Sequence, residues 1–299
     1  MPMSEKPVKY YVVDAFTELA FKGNPAAVCL LDQEKDDEWL QVLAAEFNIN
    51  VTCYLIPVKG TTNPRFRLRW FTPIVEVNIC AHATLAASHA LFASGLVDNN
   101  VTIEFVTLSG MLTAKKISAI NGTSDKKNLQ NGKAKDVSYI ELDFPADPIT
   151  EFKFDDTWLI SQALDGASII DIKRTQIQDD LLVVVTSGKN VIEVQPQFDA
   201  IVKSPGRGII VTGIAPPESG FDFYSRFFCP KFGVNEDPVC GSAHCGLASY
   251  WSKKLGKCDL KAYQASARGG ILNIHIDEQK QRVFLRGKAV TVMEGCVLV

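Results

Sequence analysis

Apolar and polar positions along the first seventy residues alternate in the way expected of strands joined by short turns. Residues 11–16 alternate with a period of two, and a Gly-Asn-Pro turn leads to a second apolar run at 26–31. Between 39 and 47 the apolar residues recur at helical spacing, directly after two aspartates that can cap a helix. Further strands are predicted at 52–57 and 66–71. The chain therefore opens as a strand-rich structure with a single early helix.

The middle of the chain changes character. Residues 120–137 are rich in Lys, Asn, Gly and Asp and offer no apolar face to bury, which predicts a surface loop. After it, a short helix is predicted near 155–164 and a strand at 181–186. The loop thus separates two halves of the sequence.

An internal repeat relates these halves. The segment Arg-Trp-Phe-Thr-Pro at 69–73 corresponds to Arg-Phe-Phe-Cys-Pro at 226–230, and each is followed by a cysteine, Cys80 or Cys240. The spacing from each cysteine to a later glycine turn is also the same in both copies. A repeated unit of this size predicts two similar structural halves.

The segments that follow the two cysteines, at 83–92 and 243–251, are apolar or small nearly all round, which is typical of a buried helix. A buried helix must be surrounded, and short strands lie on both sides of each segment. We therefore expect an α+β fold in which each half is a curved sheet around a central helix, with the helix N-termini facing across a cleft. The expected division is 1–119 together with 280–299, and 138–279.

The composition of the chain argues against several classes of partner. The chain has 299 residues, 46% hydrophobic and 22% charged, with a formal net charge of -3 and a pI of about 5.9, so it lacks a basic face for nucleic acid. No apolar run approaches the length that spans a bilayer. Eight cysteines without an export signal indicate reduced thiols in the cytoplasm. Nucleic-acid and membrane partners are not expected.

The two repeated cysteines are the main candidates for chemistry. A thiol just before the first turn of a helix lies near unpaired N–H groups and the positive end of the helix dipole, and both favour the thiolate. The small residues Ala81, Gly241 and Ser242 would let backbone amides approach a carboxylate. The predicted ligand is a small carboxylate such as an α-amino acid, and Cys80 and Cys240 are the predicted catalytic residues.

Two acid/base groups on opposite faces of one carbon are what stereoinversion requires. With a reference pKa of about 8.5, one cysteine can serve as thiolate and the other as thiol after a modest shift. The sequence holds no dinucleotide-binding fingerprint, and the spacing of its cysteines and histidines matches no common structural zinc site. No cofactor and no metal is therefore predicted.

Four segments carry a resemblance to a known family: Gly-Asn-Pro-Ala-Ala-Val at 23–28, Trp-Phe-Thr-Pro at 70–73, Cys-Ala-His-Ala-Thr at 80–84 and Glu-Asp-Pro-Val-Cys-Gly-Ser-Ala-His at 236–244. Together they resemble the signatures of PhzF-like isomerases of phenazine biosynthesis. The resemblance implies the diaminopimelate-epimerase-like fold, with two pseudo-symmetric halves that are curved or barrel-like sheets around central helices. It also implies a site between the halves and a homodimer.

The chain departs from that family at the expected catalytic residue. The glutamate of phenazine-type isomerases is replaced by Val51, a glycine by Ala81 and a threonine by Cys240, whereas His82 and Asp237 match the family motifs. An alternative function is therefore a PhzF-type isomerase of an unsaturated cyclic amino acid that uses Asp237 and His82. A second alternative is a binding module without catalysis.

Loss of the glutamate together with a second cysteine resembles diaminopimelate epimerase and proline racemase, in which two cysteines act as bases. We therefore favour a racemase or epimerase that is independent of pyridoxal phosphate. Val51 and Ile79 predict an aliphatic or branched-chain amino acid as substrate. Asn24 and Glu236 are added as substrate-binding candidates, although Asn24 could instead stabilise its turn.

Five further cysteines are interpreted as core or strand residues, because free cysteine is among the most buried residue types. They are Cys29, Cys53, Cys229, Cys258 and Cys296. His82 and His244 are as well explained by structural roles at a helix start as by proton transfer.

Overall fold

The first half of the chain folds into strands around one helix, with a second helix outside. This computed structural model describes residues 6–118, 129–130, 133–134, 138–152 and 157–298. The strands are β1 Val8–Ala15, β2 Asn24–Leu30, β3 Val51–Val58, β4 Arg65–Phe71, β5 Glu76–Val77, β6 Ile103–Thr107 and β7 Gly110–Ile117. The helices are α1 Asp37–Phe47 and α2 Ala81–Ala93. The elements predicted in this half are confirmed, with ends that differ by a few residues.

The middle segment contributes two short paired strands and one long strand, β8 Leu129–Gln130, β9 Lys133–Ala134 and β10 Tyr139–Pro145. Most of the predicted surface loop at 120–137 lies outside the described residues. In the second half the strands are β11 Ile149–Glu151, β12 Ile169–Thr175, β13 Leu181–Val185, β14 Ile209–Ile214, β15 Phe223–Cys229, β16 Val234–Asp237, β17 Asp259–Gln264, β18 Gly270–Asp277, β19 Arg282–Gly287 and β20 Ala289–Val297. Its helices are α3 Thr157–Ala163, α4 Gly188–Glu193, α5 Phe198–Lys203 and α6 Gly241–Leu255.

The strand pairings of the two halves follow the same order. In the first half β1 is antiparallel to β2, β2 parallel to β3, β3 antiparallel to β4, β4 parallel to β6 and β6 antiparallel to β7. In the second half β12, β13, β14, β15, β17 and β18 repeat this series. The glycine turns that lie at equal spacing after Cys80 and Cys240 are Gly110 and Gly270, and they begin the equivalent strands β7 and β18. The predicted repeat is therefore a structural repeat.

Each half encloses one of the predicted buried helices. Helix α2 contacts β1, β2, β3, β7, β10 and β20, and nearly all of its residues are buried. Helix α6 contacts β11, β17, β18 and β19, with most of its N-terminal part buried. The alanines of α2 leave room for strands on every side, so a helix without a polar face becomes the core of its half. This confirms the α+β, diaminopimelate-epimerase-like fold.

One continuous sheet joins the halves. Strand β10 pairs with β7 on one edge and with β19 on the other, and the final strand β20 returns to pair with β1. The expected division of the chain at 119 and 280 stays a prediction. Among the described residues no helix is long and apolar enough to cross a membrane.

Candidate active site

The N-terminal ends of the two central helices meet at the centre of the molecule. Helix α2 begins at Ala81 and α6 at Gly241. A Cβ atom placed on Gly241 would lie 2.5 Å from the Cβ atom of Ala81, closer than two carbon atoms can approach. Glycine at this position therefore allows the two helix starts to touch.

A cavity of about 280 Å³ opens beside this contact, with walls from both halves. Its size suits a small molecule rather than a macromolecule. Seven of the predicted site residues line it: Cys80, Ala81, His82, Asp237, Cys240, Gly241 and Ser242. The structure thus brings together residues that are far apart in the sequence.

Both cysteines occupy the N-cap position of their helix, and no conventional side-chain cap is present at either end. The Ala83 N–H group lies within hydrogen-bonding reach of the Cys80 thiol, and the Ala243 N–H group within reach of the Cys240 thiol. Each sulfur therefore accepts from the first turn of its own helix. The two thiols have equivalent local settings, as the repeat predicts.

Their other neighbours differ. Cys80 Sγ lies 3.4 Å from His82 Nδ1, while Cys240 Sγ lies 3.3 Å from Ser242 Oγ and the Cys240 thiol is near enough to the carboxyl of Asp237 to lower the pKa of that carboxyl. Each thiol thus has a group beside it that can exchange a proton: an imidazole on the α2 side and a carboxyl on the α6 side.

Burial controls the ionisation of both thiols. It raises the pKa of Cys80 far above its usual range, and it raises the pKa of Cys240 to about 12, with the charge of Asp237 as the next cause. The position of the two cysteines at helix starts predicted the opposite, a lowered pKa for both thiols. Desolvation of the thiolate outweighs the N–H groups, so both thiols are protonated at neutral pH.

The carboxyl of Asp237 acts on both thiols, because its negative charge raises the pKa of each. Its enclosed position raises its pKa to about 6, although hydrogen bonds oppose the shift. Its Oδ1 accepts from Asn24 Nδ2 at 2.6 Å and from the Val239 N–H group at 3.1 Å. The carboxyl therefore changes charge near physiological pH in a fixed orientation.

Asn24, predicted to bind substrate, is fully buried and is not among the described residues that line the cavity. It follows Gly23, which has a φ of +64. A side chain is also excluded at this position, because a Cβ atom would lie 2.1 Å from the Ala15 carbonyl oxygen. Asn50, a cavity residue, donates to Asn24 Oδ1 at 3.2 Å. Asn24 thus connects the N-terminal half to Asp237.

The two histidines at the helix starts are both neutral, because burial lowers the pKa of His82 to about 3 and that of His244 to about 4. His244 Nδ1 donates to the Cys240 carbonyl at 2.7 Å, and its Nε2 lies 3.2 Å from the hydroxyl of Ser225. Both ring nitrogens of His244 are therefore occupied, which is a structural role. His82 alone faces the cavity.

Glu236 is not among the described residues that line the cavity. Its carboxylate accepts from Arg226 Nε at 2.7 Å and Nη2 at 2.9 Å. Arg69 and Glu76 form the equivalent two-bond ion pair in the other half, with both distances 2.7 Å. In each half the glutamate is thus ion-paired with an arginine. This indicates a structural role for Glu236 rather than contact with an ammonium group.

Several lining residues were not predicted. Cys229, interpreted from the sequence as a core residue, forms part of the cavity wall, together with Arg207 and Gln178. Cys229 lies within the repeated segment at 226–230. Arg207 and Gln178 lie outside the motifs around the two cysteines, so spacing gave no signal for them. By contrast Val51 and Ile79, predicted to make the pocket apolar, do line it.

Comparisons with known proteins agree with this geometry. The model of the family described as phenazine biosynthesis-like protein, PhzC-PhzF, matches residues 13–295. An uncharacterized isomerase of Halalkalibacterium halodurans is 42% identical over 289 residues, covering 96% of this chain and 97% of that protein.

Solved structures show the same fold. A PhzF-family phenazine biosynthesis protein of Enterococcus faecalis superposes with a TM-score of 0.80 at 34% identity, covering 98% of this chain and all of the other. A hydroxyproline epimerase from Agrobacterium vitis has a TM-score of 0.59 at 11% identity, covering 99% of this chain and 92% of its own, and so shares the fold alone. This chain therefore belongs to the phenazine biosynthesis-like PhzC-PhzF family and is an isomerase.

Proposed function

We propose that this isomerase inverts the α-carbon of an amino acid without a cofactor, using Cys80 and Cys240 as the two proton carriers. The observation that carries the proposal is the position of the thiols, which cap two helices that meet at one cavity. Proton removal on one face of a carbon and delivery on the other requires two groups that reach the same ligand, and both cysteines line this cavity.

The helix starts can also stabilise the charge that develops. The backbone N–H groups of Ala81, His82, Gly241 and Ser242 have no hydrogen-bond partner among the described residues. When the α-proton leaves, negative charge moves onto the substrate carboxylate. Oriented N–H groups in an enclosed site stabilise that charge more than water does. The α-carboxylate is therefore proposed to lie at the helix starts.

A proton acceptor is needed because both thiols are protonated. In one direction, the Cys240 thiol passes its proton to the Asp237 carboxylate, and the resulting thiolate removes the α-proton. The Cys80 thiol then gives its proton to the opposite face of the carbon. Asp237 later returns a proton to Cys80 through solvent. The cycle inverts the carbon with no net change in protons or electrons.

The experiment is α-proton exchange of the common L-amino acids in deuterated buffer, followed by mass spectrometry and chiral chromatography. We expect deuterium at Cα together with inversion for at least one amino acid. Cys80→Ser or Cys240→Ser should lower the rate by a factor of about 100 or more, the contribution of a positioned acid or base. Cys245→Ala is the matched control, since Cys245 is buried in α6 but is not among the lining residues. Full activity in either serine variant would refute the two-thiol mechanism.

A second candidate is favoured by one observation, the Asp237 carboxyl with its pKa near 6. In a PhzF-type hydrogen shift on an unsaturated cyclic amino acid, Asp237 itself would carry the proton and His82 would orient the substrate. Activity would then survive Cys240→Ser and disappear in Asp237→Asn. The two-thiol mechanism predicts loss in both variants.

The homodimer implied by the resemblance and the cytoplasmic location are retained as proposals. Light scattering of the purified protein tests the first. A mass equal to the single chain of 32.9 kDa would contradict it.

A further inference from the structure

One wall of the cavity carries a positively charged side chain that the proposed proton transfer does not use. Arg207 lies between Gly206, with a φ of +78, and Gly208, and a Cβ atom on either glycine would strike backbone within 2.6 Å. The Arg207 N–H group donates to the Asp179 carbonyl at 2.7 Å. Because the backbone has so little freedom here, the arginine is held in one position at the wall.

Contacts within the protein occupy only part of the Arg207 guanidinium group. Nε donates to Asp180 Oδ1 at 2.8 Å and Nη2 to Asp180 Oδ2 at 2.5 Å, while the guanidinium plane lies over the ring of Phe227, 5.1 Å from its centre. Asp180 is fully buried, whereas 21% of the Arg207 side chain is exposed, and Arg207 lines the cavity. Nη1 has no hydrogen-bond partner among the described residues. A fixed arginine with a free edge suits a carboxylate ligand.

Gln178 adds a second donor to the same wall. The Asp147 carboxylate accepts from the N–H groups of Ile177 at 2.8 Å and Gln178 at 2.9 Å, which anchors this turn. The Gln178 side chain lines the cavity and has no hydrogen-bond partner among the described residues. An amide and a guanidinium edge on one anchored wall form a recognition surface for an acidic group.

We propose that Arg207, assisted by Gln178, binds an acidic group at the end of the substrate's side chain, so that the substrate is a dicarboxylic amino acid. The identity of the ligand as an amino acid rests on the proposed function, whereas the binding of an anion by Arg207 does not. Val51 and Ile79 would then contact the methylene stem between the two acidic ends. This revises the aliphatic substrate that these two residues alone suggested.

The test compares probes that differ only in the distal group. Binding of L-aspartate and L-asparagine, L-glutamate and L-glutamine, succinate and succinamate, and glutarate and glutaramate is measured by calorimetry with the full chain. In at least one pair we expect the acid to bind roughly tenfold more tightly than its amide, as a charge-assisted hydrogen bond provides. Equal binding of acid and amide in every pair, or no binding in any pair, would overturn the proposal.

Variants then assign the preference to Arg207. Arg207→Lys keeps a positive charge for Asp180 but lacks the planar edge, and it should reduce the acid-to-amide ratio severalfold. The double variant Arg207→Gln with Asp180→Asn keeps the buried pair neutral and should bring the ratio close to one. Arg282→Lys is the matched control, because Arg282 is also ion-paired, with Asp143 at 2.6 Å, and is not among the lining residues. An unchanged ratio in both Arg207 variants would refute the assignment.

The two proposals fail in different ways. Acid-selective binding that depends on Arg207, without any α-proton exchange, would support the anion site and reject the racemase. Exchange that occurs equally well with acid and amide would support the racemase and reject the role of Arg207.

Discussion

At the scale of single residues, burial rather than helix position decides which groups ionise. Cys240 caps a helix with free N–H groups, yet its pKa is raised to about 12, while the nearby Asp237 titrates at about 6. The desolvation of a thiolate costs more free energy than the N–H groups and dipole of the helix start contribute. The carboxyl is therefore the group that senses pH in this site.

This difference predicts the pH dependence of the reaction. Asp237 must be a carboxylate to accept a proton, and it loses its own proton as pH rises through about 6. The rate of α-proton exchange should therefore rise with pH, with a midpoint near that value, and be low in acid. Rates measured from pH 4.5 to 8 check this expectation, and a flat profile would contradict it.

The hydrogen bond from Asn24 to Asp237 provides a second test of this pH dependence. Its amide donates to Asp237 Oδ1 and so stabilises the charged carboxylate. Asn24→Ala should raise the pKa of Asp237 and therefore move the midpoint to higher pH. A merely structural role for Asn24 would lower the rate at all pH values without moving the midpoint.

At the scale of elements, the contact between the starts of α2 and α6 determines how closely the two thiols are placed. Gly241→Ala would bring two Cβ atoms to 2.5 Å, so one helix must shift. We expect a loss of about 1–3 kcal/mol in the free energy of unfolding, typical of overpacking, together with reduced exchange. Urea denaturation measures the first effect.

A double variant tests whether the contact between the two helix starts causes this loss of stability. In the double variant Ala81→Gly with Gly241→Ala, the methyl group is moved from one helix start to the other, and the contact again contains a single Cβ atom. Most of the lost stability should return, apart from the small cost of a glycine in the first turn of α2. Additive losses in the double variant would show that the destabilisation comes from elsewhere.

At the scale of the whole molecule, the cavity has walls from both halves, and a single sheet connects them through β10. A ligand in this position contacts both halves and should stabilise them together. The amino acid that exchanges fastest, at a concentration of 100 times its dissociation constant, should add about 2.7 kcal/mol to the free energy of unfolding. Calorimetry should show one unfolding transition moving upward, and movement of only part of a split transition would contradict this.

Much of the fold could be predicted from local patterns. The strands at 11–16 and 26–31, the helix that follows Asp36 and the buried helices after the cysteines depend on periodicity, capping and turn residues, which are local properties. Asp36 does cap α1, accepting from the Trp39 N–H group at 2.8 Å. The repeat then paired Cys80 with Cys240, because matched local segments imply matched structures.

The rest depended on contacts between distant segments. Arg207 reaches the cavity through a turn whose sequence contains no recognisable motif, and Asn24 meets Asp237 only because the two halves pack together. The pKa values depend on the solvent that each group loses, and periodicity carries no information about that loss. The amino-acid sequence by itself thus determined the first strands, the helix after Asp36, the two buried helices, the repeat and the pairing of the two cysteines. Only the tertiary structure decided which of these groups titrates, and which positive charge a substrate would meet.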